Sequence, residues 1–264
     1  MRVLVTSDDG ADEAGTLQLA EAAAEVASEV ILCAPVPPCL GGIGTSTQPS
    51  GDLVVYRWPD GERRIYPTLG TPALSVVFGC SPLAESIPDV VAAGINYGPN
   101  VGRVTLHSGT VGGAVLTALS LGKPALGLNI DDTYSTDRED WPPHWDTAAL
   151  LAKVMLPWLL RRPEAVGINV NIPNVPRPEI RGLRATEIAT TGEIFELTDP
   201  HPVSGAHYRL GYDTSVVAAD TDVGVLSQGC ITVVSVGGDR AVAEEAAEHA
   251  RRQTGLTRDD GASS

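Results

Sequence analysis

Lysine is nearly absent from this chain, with only Lys123 and Lys153 in 264 residues. Lys and Arg together number 18 against 33 Asp and Glu, so the formal net charge is −15 and the isoelectric point about 4.6. Polymeric nucleic acid is held through clustered basic side chains on its phosphate backbone, so no such partner is expected. The same acidity repels a small phosphorylated ligand at long range, and any site for one needs local positive potential; solubility is the plainest use of the charge. Long apolar runs are also missing, since none approaches the roughly 20 residues that cross a bilayer, and no membrane partner is expected. The four cysteines, Cys33, Cys39, Cys80 and Cys230, form no metal-spaced pair. Cys33 and Cys80 sit in apolar contexts typical of buried free thiols, and no disulfide is expected. No basic leader precedes Arg2, and the expected compartment is the cytoplasm. There is no internal repeat.

What is present is alternation. Hydrophobic residues make up 43% of the sequence, enough for one substantial core with a smaller appendage. Arg2 to Thr6 reads as a buried parallel strand, and Leu17, Ala20, Ala24 and Ala27 mark the apolar face of a following helix. A strand near 29–33, a hairpin from Leu53 to Thr68 about Asp60-Gly61, and a helix near 72–80 continue the pattern. After them come a strand at 89–93, a helix over 109–121, a strand near 124–129 and a helix from 146 to 161. This order predicts an α/β fold, a Rossmann-like three-layer sandwich with a mostly parallel sheet and helices on both faces. Asp131 to Trp145 reads as a surface loop, where Trp141 and Trp145 beside His144 either form a substrate lid or pack onto their own domain. Residues 180–236 contain β-like stretches, Ala241 to Arg252 looks helical, and Thr254 to Ser264 reads as a tail.

Three segments carry chemistry. Asp8 and Asp9 end the first strand and precede Gly10, which places two adjacent carboxylates in a strand-to-helix loop, where open α/β sheets bind ligands. Two such acids repel unless a cation or shared proton compensates, and a hard divalent metal does so; an Asp-Gly turn with a helix cap is the plainer alternative. The strand at 89–93 runs into Gly94-Ile95-Asn96-Tyr97-Gly98-Pro99-Asn100-Val101-Gly102, a loop able to bring amides and side-chain carbonyls close to a ligand. Next, His107-Ser108-Gly109-Thr110-Val111-Gly112-Gly113-Ala114 opens a helix whose free amides, with the Ser108 and Thr110 hydroxyls, suit a phosphate. Taken alone, Ser108 is equally an N-cap before small residues that allow close packing.

In this order the motifs resemble those of the SurE family, the survival-protein nucleotidases, which are metal-dependent phosphatases of nucleoside monophosphates. The matching segments are VTSDDG at the start, LGTPALSVVFG at 69–79, PDVVAAGINYGPNVG at 88–102, HSGTVGGA at 107–114, INVNIPN at 168–174 and TDVGVLSQGCITVVSV at 221–236. The resemblance implies a divalent cation, Mg²⁺ or Mn²⁺, held by Asp8, Asp9 and Asn96, which are expected to converge on one point. It also implies that Asp8 and Asp9 act in catalysis, as nucleophile or as metal and water holders, and that Asn96, Ser108, Gly109 and Thr110 bind phosphate. The expected ligand serine of the loop after the second strand is Leu40, which cannot coordinate; Thr45, Ser46 or water is left to fill that position, and the Cys39 thiol is a poor match for either cation. Ser7 replaces a usual asparagine, Leu74 and Ser75 replace an Asp-Cys pair, and Leu116 stands where glutamate is common.

The resemblance divides the chain into an α/β catalytic domain over 1–175, an extension with a long hairpin and terminal helix over 176–254, and a disordered tail over 255–264. The hairpin, between about Gly192 and Tyr212 and carrying His201 and His207, is expected to exchange between subunits of a homodimer or homotetramer. The leading expectation is a divalent-metal phosphomonoesterase acting on nucleoside monophosphates or related small phosphate esters. The alternatives are a binding or scaffold protein impaired through Leu40, or a tailoring enzyme with an altered pocket.

Overall fold

In the computed structural model, residues 1–36, 54–55, 58–60, 63–131, 142–191, 193–201, 205–213 and 215–258 are described. Six strands form the parallel centre of one sheet: β1 (Arg2–Thr6), β2 (Glu29–Pro35), β5 (Arg63–Leu69), β6 (Val90–Tyr97), β7 (Ala125–Asp131) and β8 (Gly167–Pro173), in the spatial order β5-β2-β1-β6-β7-β8. Counted along the chain this is the 3-2-1-4-5-6 order of doubly wound nucleotide-binding folds, with its reversal between β1 and β6. On one edge β3 (Val54–Val55) and β4 (Trp58–Asp60) pair antiparallel with β5, and the Asp60↔Arg63 register closes the expected hairpin. On the other edge β12 (Cys230–Ser235) runs antiparallel to β8 and parallel to β9 (Gly182–Ala185).

Strict alternation in β1 explains the layers. Val3 and Val5 enter one core, with Val90 and Ala92 of β6, while Leu4 enters the other with Val91 and Ala93. A parallel strand covered on both faces needs apolar residues at successive positions, which Val3 to Val5 and Val90 to Ala93 supply. The first core is roofed by α1 (Ala14–Ala24), α4 (Trp145–Leu160) and α6 (Arg240–Thr254); the second by α2 (Pro72–Gly79) and a helix that begins with a π-turn segment, Gly109–Val115, and continues as α3 (Leu116–Ser120). Local chemistry sets the helix ends: Thr71 accepts the Leu74 amide ahead of Pro72 in α2, and Asp239 caps α6, which stops at Gly255 with φ 73°.

The predicted alternation is present, with two differences. The buried stripe of α1 is Gly15, Thr16, Leu19, Ala22 and Ala23, whereas Ala24 is exposed and Leu17 and Ala20 line a cavity of about 320 Å³ against Val30, Leu32 and Ile65. An alanine-rich helix carries too little hydrophobic contrast for its periodicity to mark the face. Strand β6 runs to Tyr97, past the expected end at residue 93, with a register shift against β7 between Ala93 and Asn96. At the position of the expected hairpin, β10 (Glu193–His201) and β11 (Gly205–Tyr212) form a separate two-stranded antiparallel sheet with Glu193 opposite Tyr212, followed by the short α5 (Asp222–Leu226). Cys33 and Cys80 are free thiols, each pushed up by burial, Cys80 to about 11. No helix among the described residues is long and apolar enough to cross a membrane.

Candidate active site at the strand-order reversal

The carboxyl ends of β1 and β6 lie side by side at the reversal of strand order, the position where neighbouring loops diverge and leave a crevice. The loop leaving β1 is shaped locally. Ser7 is fully buried and accepts the Asp9 amide at 3.2 Å, Gly10 takes φ 130°, and Thr16 of α1 donates to the Gly10 carbonyl at 2.7 Å. The short Ser7 hydroxyl thus makes a turn that presents Asp8 and Asp9 to different neighbours.

Asp8 turns inward. It is 7% exposed, Thr110 donates to its Oδ1 at 2.6 Å, and a Cβ added at Gly109 would fall 2.6 Å from its Oδ2. Only glycine at 109 lets the helix start approach the carboxylate this closely. Burial pushes the Asp8 carboxyl up while the Thr110 hydrogen bond pulls it down. Asp9 is half-buried and accepts the Tyr97 amide at 3.3 Å, which links the β1 loop to the end of β6. Burial and then the Asp8 charge raise the Asp9 carboxyl to about 6. Neither carboxylate has an ion-pair partner among the described residues.

Asn96 directly precedes Tyr97 near the end of β6. Its Nδ2 donates to the Gly98 carbonyl at 2.7 Å, and its Oδ1 accepts nothing among the described residues. The Tyr97 amide at Asp9 and the Thr110 hydroxyl and Gly109 backbone at Asp8 therefore tie three segments together, with Asn96 adjoining through its chain neighbour Tyr97. Ser108 is an N-cap: its Oγ accepts the Val111 amide at 2.7 Å, which leaves the hydroxyl proton for another acceptor. Gly109 and Thr110 begin the helix, where amides precede the first intrahelical bonds. The Thr110 hydroxyl, expected at a phosphate, is instead spent on Asp8. Leu40, Cys39, Thr45, Ser46 and Trp141 lie outside the described residues. Trp145 is described; it opens α4, packs on the first core and meets Tyr97 edge-to-face.

Two supporting features have no counterpart in the sequence reading. Four buried asparagines form one network under the loop after β6. Asn100 donates to Asn129 Oδ1 (2.5 Å) while its amide reaches Asn171 Oδ1 (2.7 Å); Asn129 donates to Asn169 Oδ1 (2.7 Å) and to the Val170 carbonyl (2.8 Å). Asn169 and Asn171 both donate back to the Asn100 carbonyl. The second is Asp222, fully buried, whose Oδ2 accepts the Gly102 amide at 2.9 Å and whose Oδ1 accepts the Ala189 amide at 2.8 Å and that of Val223 at 2.9 Å. Burial raises its carboxyl, and the amides of Ala189, Gly102 and Val223 oppose that rise. The signal that was available is asparagine at alternate positions of an apolar strand, Asn169 and Asn171, which places both on one face.

Comparison with known proteins agrees over most of the chain. A family model described as Survival protein SurE matches residues 3–193. The 5'/3'-nucleotidase SurE of Erwinia tasmaniensis is 32% identical over 241 residues, covering 89% of this chain and 90% of that protein. The 5'-nucleotidase SurE 1 of Burkholderia lata is 35% identical over 243 residues, covering 88% of each. The crystal structure of the SurE protein from Aquifex aeolicus superimposes with a TM-score of 0.73 at 26% identity, covering 89% of this chain and 93% of that one.

Proposed function

This chain belongs to the SurE family, and from that premise we propose that it hydrolyses phosphate monoesters of nucleotide type with the help of a divalent cation held by Asp8, Asp9 and Asn96. The observation that carries the reading is the meeting of Asp8 and Asp9 with the tip of β6 and the start of the 109–120 helix at the strand-order reversal. The donor chemistry fits a hard cation. Two carboxylates and an amide oxygen are oxygen ligands of the kind Mg²⁺ and Mn²⁺ take. Both carboxyls are driven up in the absence of a compensating charge, and Asn96 Oδ1 accepts no hydrogen bond among the described residues.

A bound divalent ion supplies Lewis acidity, drawing charge from a phosphoryl oxygen and activating water. The chain does the rest. Thr110 fixes the Asp8 carboxylate by a short bond to Oδ1, and the burial of that side chain supports a holding role for Asp8 over a nucleophilic one. The Tyr97 amide orients the Asp9 carboxylate for its place at the cation. The Gly109 and Thr110 amides, with the remaining Ser108 proton, face an anion with positive partial charge, offsetting the unfavourable overall field.

The α/β unit over 1–175, the extension over 176–254 and the cytoplasmic setting are parts of the same reading. The β10–β11 hairpin pairs only with itself among the described strands, which supports its packing on a second subunit, and light scattering should report a dimer or tetramer. The function is tested by phosphate release from a panel of nucleoside monophosphates and simpler esters with Mg²⁺, Mn²⁺ or EDTA. Turnover with metal and none with EDTA is expected. No release from any ester with either metal overturns the reading in favour of a binding protein that keeps the loop without the chemistry.

A further inference from the structure

We infer that Asp222 is a positioning residue for the phosphate-binding segment 108–110: its one carboxylate ties the turn that leads into that segment to both roots of the β10–β11 hairpin. The inference rests on the phosphomonoesterase reading and adds to it the residue that joins the hairpin to the site.

Gly102 takes φ 60° and opens a 3-10 turn over Gly102–His107, with Ser108 directly after it. The turn is packed onto the helix that follows. The Ser108 amide donates to the Thr105 carbonyl at 3.4 Å, the Gly113 amide donates to the Ser108 carbonyl at 2.8 Å, and a Cβ at Gly112 would fall 2.2 Å from the Leu106 carbonyl oxygen. A displacement at Gly102 is therefore carried to Ser108, and through Gly109 to the Asp8 carboxylate it packs on. Just ahead of the turn, Asn100 is pinned to Asn129 of β7 and Asn171 of β8. Gly102 itself is held by Asp222, whose Oδ2 accepts its amide at 2.9 Å.

The other oxygen serves the extension. Asp222 Oδ1 accepts the Ala189 amide at 2.8 Å and the Val223 amide at 2.9 Å, while the Asp222 amide donates to the Glu187 carbonyl at 2.8 Å and Glu187 bridges Thr221. Residues 189 and 222 flank the stretch that contains β10 and β11, so both roots of the hairpin and Gly102 close on one side chain. Val101, Ala189, Val223 and Leu226 bury together across the same junction. A fully buried carboxylate with no ion-pair partner among the described residues is costly to keep. What it provides is two acceptor oxygens facing two segments, which no uncharged side chain of this size offers. A rearrangement of the hairpin that shifts either root thus acts on the turn.

The test is Asp222→Asn, whose single oxygen keeps the two amides on the Oδ1 side and whose Nδ2 then meets the Gly102 amide, donor against donor. Phosphate release from nucleoside monophosphates should slow about tenfold and inorganic phosphate should inhibit about tenfold more weakly, the scale of one hydrogen bond to a charged group. The Mg²⁺ dissociation constant, measured by titration calorimetry without phosphate, should keep its wild-type value. A merely structural residue weakens metal and phosphate together or changes neither, and either pattern overturns the inference. Hydrogen exchange in the wild-type protein gives a second reading that needs no folded variant. The Gly102 and Ala189 amides should open together with equal protection, and protections that differ by more than about tenfold overturn the inference. If the wild-type protein releases phosphate from no ester, the phosphomonoesterase reading fails instead, and the exchange measurement still decides whether Asp222 joins the hairpin roots to the turn.

Discussion

Replacing Asp9 by asparagine should make the metal-free protein more stable while removing its response to metal. Asp9 is half-buried beside Asp8, and the two effects lift its carboxyl from 3.8 to about 6. Below pH 3.8 the group is neutral in both folded and unfolded chains and contributes nothing. Between 3.8 and 6 the unfolded chain ionises while the folded one holds its proton, so stability falls as pH rises; above 6 the penalty is complete. A shift of this size corresponds to at most about 3 kcal/mol, and partial exposure with solvent screening reduces it to about 1–2 kcal/mol. Asparagine keeps an oxygen for the Tyr97 amide and carries no charge to repel Asp8. Scanning calorimetry in EDTA should place Asp9→Asn about 2–8 °C above the wild type at pH 7.5 and level with it near pH 3.5. With Mn²⁺ the wild type should gain and the variant should not. A variant equal to or below the wild type at pH 7.5 in EDTA refutes the reasoning, because it means the carboxylate is not strained when no cation is bound.

Three further substitutions probe the surroundings. Gly109→Ala places a Cβ 2.6 Å from Asp8 Oδ2 and should abolish most metal-dependent turnover at a stability cost of about 1–3 kcal/mol, read by phosphate release and thermal melting. Asn129→Leu leaves Asn100 Nδ2, Asn169 Oδ1 and the Val170 carbonyl without their partner; urea unfolding should show a loss of about 3–5 kcal/mol. Leu40→Ser adds an oxygen donor where the resemblance expects one, so calorimetry should show tighter Mg²⁺ and Mn²⁺ binding and turnover should rise; an unchanged dissociation constant removes Leu40 as the limiting defect.

The parallel core was legible because short β-branched runs bounded by glycine, proline and acidic residues alternate with helical segments. Arg2–Thr6 forms a strand with the bounds its sequence predicts, and Pro72 after a capping Thr71 starts α2 on schedule. The face of α1 was not legible, since alanine at most positions leaves no contrast between the buried stripe and the cavity-lining Leu17 and Ala20. At the site, Asp8, Asp9, Asn96 and the 108–110 segment announce themselves by local spacing. Asp222 does not, because its partners Gly102 and Ala189 lie 120 and 33 residues away in sequence and nothing near Asp222 names them. The asparagine network is hidden for the same reason: three of its members sit inside strands that otherwise read as core. Thr110 was legible as a polar residue at a helix start, but not its direction, which only the packing of Gly109 on Asp8 determines.

The central claim is that the crevice between the ends of β1 and β6 is a divalent-metal centre. Anomalous diffraction from a crystal of the protein soaked in Mn²⁺ tests it most directly. The account predicts one strong peak bonded to oxygens of Asp8, Asp9 and Asn96, lost in Asp9→Asn. A peak at another set of side chains, or none at these three in a protein whose turnover still requires Mn²⁺, would contradict it.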